Sequence, residues 1–144
     1  RFRGMVVGVG CFAAGSALTK ADLRGVTLER VSLRATVAAG ADFSGAKLNS
    51  SDLSECDLRG ARFYGADARQ ARFVRAHLDG ASLASATLAG AVLQHAWLQD
   101  TDFRHANLHE SDMARVRIGS GVRFDNSIRS RMRTLPQRPA LSAT

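Results

Sequence analysis

Ala41-Asp42-Phe43-Ser44-Gly45, Ala46-Lys47-Leu48-Asn49-Ser50 and Ser51-Asp52-Leu53-Ser54-Glu55 are three consecutive units of one pattern. Each runs small, polar, large apolar, then two residues suited to turning the chain. Stepping by five in either direction keeps the pattern. The large apolar position reads Leu18, Leu23, Leu28 and Leu33 before these units, and Leu58, Phe63, Phe73, Leu78, Leu83, Leu88 and Leu93 after them. It continues through Leu98, Phe103, Leu108, Met113 and Ile118, with Ala38 and Ala68 as small exceptions. Two residues earlier stands Ala, Ser, Thr, Cys or Val in every unit. A register held over about 21 units points to a repeat architecture.

The period excludes the two ordinary elements. On an α-helix, five residues advance about 500°, so successive leucines land about 140° apart and define no buried face. In a long strand an odd period throws alternate leucines to opposite sides. A short extended piece followed by a corner satisfies the pattern. The small residue and the leucine, two apart, then point inward together. The residue between them points out, and there the sequence has Asp22, Asp42, Asp52, Asp57, Arg62, Asp67, Arg72, Asp102, Asn107 and Asp112. The corners carry Gly25, Gly40, Gly45, Gly60, Gly65, Gly80 and Gly90, as tight turns favour. Chain that turns at every unit closes into coils, and stacked coils bury the inward residues as ladders.

Units such as Ala21-Asp22-Leu23-Arg24-Gly25 and Ala106-Asn107-Leu108-His109-Glu110 resemble the A(D/N)LXX consensus of pentapeptide-repeat proteins, over roughly residues 16–118. The resemblance implies an all-β fold, a right-handed, four-sided β-helix with four units per coil and about five coils. Four units per coil place Leu23, Phe43, Phe63, Leu83 and Phe103 in one interior column. They also put Leu18, Ala38, Leu58, Leu78, Leu98 and Ile118 in another, with Ala38 a thin spot. Ala68 is a thin spot in the column of Leu28, Leu48, Leu88 and Leu108.

Outside the repeat, residues 1–15 are expected to form an N-terminal cap or anchor; the apolar run Met5 to Ala14 after Arg1 and Arg3 also suits a targeting remnant. After Ile118 the register breaks at Gly119-Ser120-Gly121. Phe124, Ile128, Met132 and Leu135 then have helix-like spacing, so 119–144 is expected to be a basic C-terminal cap helix and a tail.

The net charge of +7 is unevenly placed: from Ser16 to Ile118 there are 13 basic and 12 acidic residues, so the body is near neutral and the ends are basic. The two cysteines, Cys11 and Cys56, are too few for a disulfide framework, and Cys56 falls on an inward position. No stretch reaches the roughly 20 apolar residues that span a bilayer, which leaves only peripheral membrane association.

Catalytic signatures are missing from the sequence. The aspartates recur because the repeat recurs; no phosphate-binding glycine loop or nucleophile elbow is present. His105 and His109 have the spacing of a zinc pair on a helix, but on this fold they sit at different turns, so no metal or other cofactor is expected. The outward position of Trp97 breaks a polar rule, with His77 and then Asp57 and Val37 expected below it and Arg117 above. Exposed Trp is enriched at interface hot spots. Partner-binding candidates are therefore Trp97, His77, Arg117 and Tyr64, with weaker hints at Val74 and Val92, and the arginines Arg123, Arg129, Arg131 and Arg133.

A rigid rod with flat sides loses little entropy on docking, which suits a non-catalytic scaffold, a subunit of a larger assembly of proteins. The resemblance implies bacterial or plastid settings, the thylakoid lumen among them, and a chain without an initial Met suits an imported, processed subunit of a photosynthetic or respiratory complex. Family members that mimic DNA and act on type II topoisomerases offer an alternative, but they are acidic rods. Nucleic acid or an anionic surface is the third reading, through the basic ends and the group Arg59, Arg62, Arg69, Arg72 and Arg75. Interleaved aspartates and the lack of an aromatic platform count against it.

Overall fold

Four five-residue units bring the chain back over itself. Parallel bridges join Ala17 to Val37, Asp22 to Asp42, Thr27 to Lys47 and Ser32 to Asp52, and the same twenty-residue step recurs up to Trp97 and Arg117. The computed structural model describes residues 17–134, and in them the fold is the four-sided β-helix of the repeat. We number the faces by their outward columns. The first runs through Ala17, Val37, Asp57, His77, Trp97 and Arg117; the second starts at Asp22, the third at Thr27 and the fourth at Ser32.

The two-residue corners require a left-handed conformation at their second residue, and φ is positive at every fifth position from Lys20 to Arg115. Only some of these are glycine; Lys20, Arg30, Gln70 and His105 adopt φ between 56° and 59°. Such residues carry strain that the rest of the coil must overdetermine. Two bonds do so. Across a corner the Ala21 N–H donates to the Leu18 carbonyl at 2.9 Å, and between coils the Lys20 N–H donates to the Ala39 carbonyl at 2.9 Å.

The outward aspartates have a structural duty that their position alone did not reveal. The N–H of the first corner residue finds no backbone carbonyl, and the aspartate two residues earlier accepts from it: Ser44 to Asp42 at 2.9 Å, Ser54 to Asp52 at 2.9 Å, Arg104 to Asp102 at 2.9 Å. Asn107 does the same for His109 at 3.0 Å. This explains why the unit wants Asp or Asn there.

Inside, the ladders close a continuous core. Phe43, Phe63, Phe73 and Phe103 are fully buried, and Phe43 stacks on Phe63 at 4.8 Å with the rings 1° from parallel. That distance is the spacing of the coils themselves. The alanine positions are as buried as the leucines, because a larger side chain there would meet its counterparts across a narrow tube. Cys56 is one of these wall residues; burial pushes its thiol up to about 12. In a Cys11→Ser chain, Cys56 is expected to resist a thiol reagent at pH 8 and to react at once in guanidinium, since the thiolate is the reactive species. Prompt labelling without denaturant would mean that the wall opens.

The C-terminal cap helix is not what forms. Residues 122–134 contain no helix and continue the coil, with bridges from Asp102 to Arg123, Asn107 to Ile128 and Asp112 to Arg133. The step here is twenty-one residues. One extra residue is absorbed at Gly119–Gly121, after which the left-handed corners move to Gly121, Asn126 and Arg131. Glycine suits position 121: φ is +77°, and a Cβ would displace the exposed Asp100 carboxylate. Phe124 thus joins the aromatic column, stacked on Phe103 at 5.2 Å, while Ile128 points outward, exposed. Ile118 keeps its inward position in the column of Leu98, yet is 53% exposed, because no described residue stacks above it. The expected N-terminal cap over 1–15 and the tail after 134 lie outside the described residues.

Candidate docking surface

On the first face, His77 and Trp97 lie flat on one another, centroids 4.1 Å apart and 5° from parallel. The Arg117 guanidinium covers the other side of the indole, 4.8 Å from its centroid. Twenty-residue stepping makes this stack, since it holds outward side chains at one azimuth a coil apart. Below His77 come Asp57 and then Val37, which is exposed. The result is a flat aromatic and cationic stripe with an acid beneath it, on a rigid backbone.

The Asp57 carboxyl is held below its ordinary range, chiefly by a fork from Arg59, whose Nε and Nη2 donate to its two oxygens at 2.8 and 2.7 Å. Arg104 makes the same fork on Asp102, with the same effect on that carboxyl. Asp67 and Arg69 repeat the arrangement.

Tryptophan at this position removes the acceptor that serves the corner elsewhere. The Gln99 N–H is satisfied instead by Asp79 of the coil below, at 2.9 Å. Asp79 was not singled out from the sequence, because its role depends on a contact twenty residues away.

Tyr64 is 61% exposed, but it sits on the corner between the second and third faces, away from Trp97. Val74 lies on the corner that borders the first face, and Val92 lies on the fourth face. The arginine group of the repeat does not converge either. Arg59 and Arg69 are forked to aspartates, and Arg62 and Arg72 lie on the second and fourth faces, opposite sides of the rod.

The C-terminal arginines occupy the sixth coil. Arg123 and Arg133 are outward on the second and fourth faces, and Arg131 is at a corner. Arg129 takes an inward position, where lower coils have leucine or, at Ala68, alanine, and its guanidinium lies over the Phe124 ring at 5.5 Å. An inward charge at the mouth of the tube discourages the stacking of a further coil with apolar inward residues, though not of a chain that brings acids. Beside it a shallow depression is lined by Gly90, Val92, Glu110, Asp112, Arg131 and Arg133. His105 and His109 sit on neighbouring corners, His109 Nδ1 lying 2.6 Å from Ser130 Oγ. Among the described residues no three metal-ligating side chains converge, and no helix is long and apolar enough to cross a membrane.

The family model for pentapeptide repeats matches the chain in overlapping stretches, 16–55, 28–63, 39–73, 56–93 and 86–118. Among solved structures, a pentapeptide repeat protein of the Arabidopsis thaliana thylakoid lumen is 30% identical, with a TM-score of 0.56 and 78% of each chain covered. HetL, a pentapeptide repeat protein involved in heterocyst differentiation regulation in the cyanobacterium Nostoc, is 27% identical, TM-score 0.39, over 83% of this chain and 58% of its own. QnrB1, a plasmid-mediated fluoroquinolone resistance protein, is 16% identical, TM-score 0.31, over 88% of each. No curated protein matches.

Proposed function

The chain belongs to the pentapeptide-repeat family, and from that premise we propose that it is a non-catalytic docking scaffold, held in a larger protein assembly through its first face. The observation that carries this reading is the His77–Trp97–Arg117 stack. A half-buried indole, held between His77 and Arg117 on a flat wall, presents its edge to a partner with its conformational entropy already spent. Its neighbours Asp57 and Val37 add an acid and an apolar spot along the same stripe. Among the described residues, 17–110 are balanced in charge, and no outward position of the other three faces carries an aromatic side chain.

The compartment we favour is an organelle of the plastid type, with a bacterial cytoplasm as the alternative. The likeness to a thylakoid-lumen protein supports it. The topoisomerase reading finds no support in the rod, whose outward columns alternate acids with Lys, Arg and neutral residues.

A photo-crosslinking residue placed at Trp97 in native cells is expected to give one discrete protein adduct. The same residue at Asn107, on the third face, is expected to give none. Equal adducts from both positions, or none from 97, would sink the reading. In vitro, Trp97→Ala is expected to lower the unfolding free energy by about 1–2 kcal/mol, the worth of the stack, and leave the chain folded, while an interface anchor is worth about 2 kcal/mol or more in binding.

A further inference from the structure

The hydrogen bonds between coils are not symmetric. In the unit Ala21–Gly25, Leu23 and Gly25 donate N–H groups to Asp42 and Ser44 of the next coil, while Ala21 alone accepts one in return, from Asp42. The same two-to-one exchange recurs at Phe43, Gly45 and Ala41, and at Leu83, Ser85 and Ala81. The majority donors all point toward the C-terminal coil. A tube built this way ends with donors in excess at its C-terminal rim and acceptors in excess at the other. That is the reverse of an α-helix, whose free N–H groups gather at its N-terminus.

In the sixth coil Phe124, Asn126, Arg129 and Arg131 hold the positions whose N–H groups leave the rim, and no backbone carbonyl among the described residues accepts from them. Charge is added to the same place. Residues 17–110 carry eleven basic and eleven acidic side chains, so they cancel; residues 111–134 carry six arginines against Asp112 and Asp125. All six arginines are exposed. Their ion pairs are loose: Arg131 to Glu110 at 3.6 Å, Arg123 to Asp125 at 3.7 Å and Arg133 to Asp112 at 3.8 Å, against 2.7 Å for Arg59 to Asp57. Oriented N–H groups and unspent guanidinium charge therefore favour the same kind of ligand, an anion with carbonyls.

We propose that this C-terminal rim binds an acidic segment of another protein, which follows the sixth coil around its corner at Asn126 and pairs strand-like with the second and third faces in turn. Its carbonyls accept from the N–H groups of Phe124, Asn126, Arg129 and Arg131, and its carboxylates meet the guanidinium groups of Arg129, Arg131 and Arg133. Strand addition to an exposed edge draws affinity from the main chain and selectivity from side chains. A second copy meeting rim to rim would set arginine against arginine. Nucleic acid offers phosphates to the arginines but no row of acceptors at strand spacing. The inference shares with the docking reading only the premise of a protein partner; the surface is a different one.

The test is a titration of the full chain, labelled with nitrogen-15, with a seven-residue peptide alternating glutamate and valine. The amide signals of Phe124, Asn126, Arg129 and Arg131 are expected to shift and their exchange to slow about tenfold or more, with binding weakened about tenfold on raising salt into the screening range. The double variant Arg129→Glu/Arg131→Glu is expected to bind at least about tenfold more weakly, and Trp97→Ala as tightly as the unaltered chain. Arg131→Glu/Arg133→Glu, both outside the tube mouth, gives the same reading should reversal at Arg129 disturb the coil. Equal binding of a lysine–valine peptide, or shifts spread over the side faces, overturns the proposal. So does protection of the rim amides in the free chain, which assigns the rim to residues 135–144, or a dilution-sensitive dimer with rim shifts, which assigns it to a second copy. A DNA duplex that produces the rim shifts more tightly than the peptide overturns it too. Rim binding with no adduct at position 97 removes the first-face reading alone; the converse removes the rim alone.

Discussion

Replacing Phe63 with alanine is expected to lower the unfolding free energy by about 3–5 kcal/mol, the range for deleting a fully buried ring. Phe63 is 0% exposed, lies parallel to Phe43 at 4.8 Å and meets Phe73 edge-on at 5.9 Å. The upper end of that range is favoured by what surrounds it. The loss at a core site is smallest where neighbours collapse into the hole. Here the wall is held by main-chain bonds on both sides, Phe63 to Ser82 at 2.7 Å and Phe43 to Arg62 at 2.7 Å, so the backbone does not move in. Since domains are stable by about 5–15 kcal/mol, the variant should unfold at a much lower guanidinium concentration. Phe124→Ala, at the half-buried mouth, is the paired control and should cost well under half as much. A loss of about 1 kcal/mol or less at Phe63 would show that the rings do not share a closed interior.

The difference between those two phenylalanines is also the difference between what the sequence made legible and what it hid. Phe63 belongs to an unbroken run of inward positions, so its partner Phe43 follows from counting twenty residues back. Phe124 does not, because Gly119 shifts every later residue by one. Beyond that shift the inward positions hold Phe124, Arg129 and Thr134, and the leucine signal that marked the repeat has gone. Phe124, Ile128 and Met132 then mimic a helical stripe, although Ile128 faces out of the coil while the other two pack against the core. Pairing with the ready edge of the fifth coil overrides that local signal, as tertiary context commonly overrides propensity.

The candidate site divides the same way. Counting by twenty placed Val37, Asp57, His77, Trp97 and Arg117 on one face, since that needs only the coil length. It did not show that Asp79 stands in for a missing acceptor at Gln99, or that outward aspartates hold the corners. Those are facts about which N–H lacks a carbonyl, and composition does not carry them. The polarity of the rim is a fact of the same kind. It follows from the direction of bonds, which is invisible in any list of residues. Arginines at 123, 129, 131 and 133 were read as a charged helix surface; on a coil edge rich in donors they become part of an anion-seeking end.

Excising residues 36–55 is expected to leave a folded, cooperatively unfolding rod, whereas excising 36–56 is expected to detach the first coil and lower stability far more. The first deletion removes one coil. It joins Ala35, at its left-handed corner, to Cys56, which takes the inward place of Thr36. Leu23 then meets Phe63, Ala17 meets Asp57, and the His77–Trp97–Arg117 stack is untouched. Stability should fall only modestly, because each coil contributes its own burial and one interface in a quasi-one-dimensional stack. The second deletion removes Cys56 as well. Either Asp57 turns into the tube and Leu58 to solvent, or the corner must close with one residue fewer. Burying an unpaired carboxylate costs several kcal/mol or forces its protonation, and otherwise every unit of the first coil lies one residue out of register with the coil above it, since a one-residue slip exchanges the two faces of a strand. The extra residue at Gly119 is no precedent, for it lengthens a corner instead of shortening one, and sits beside Gly121 at φ +77°. Far-ultraviolet dichroism, dye binding to exposed apolar surface and guanidinium titration of the two variants decide the matter. Two rods of equal stability would mean that the chain does not count in fives, and inward and outward positions would lose their meaning.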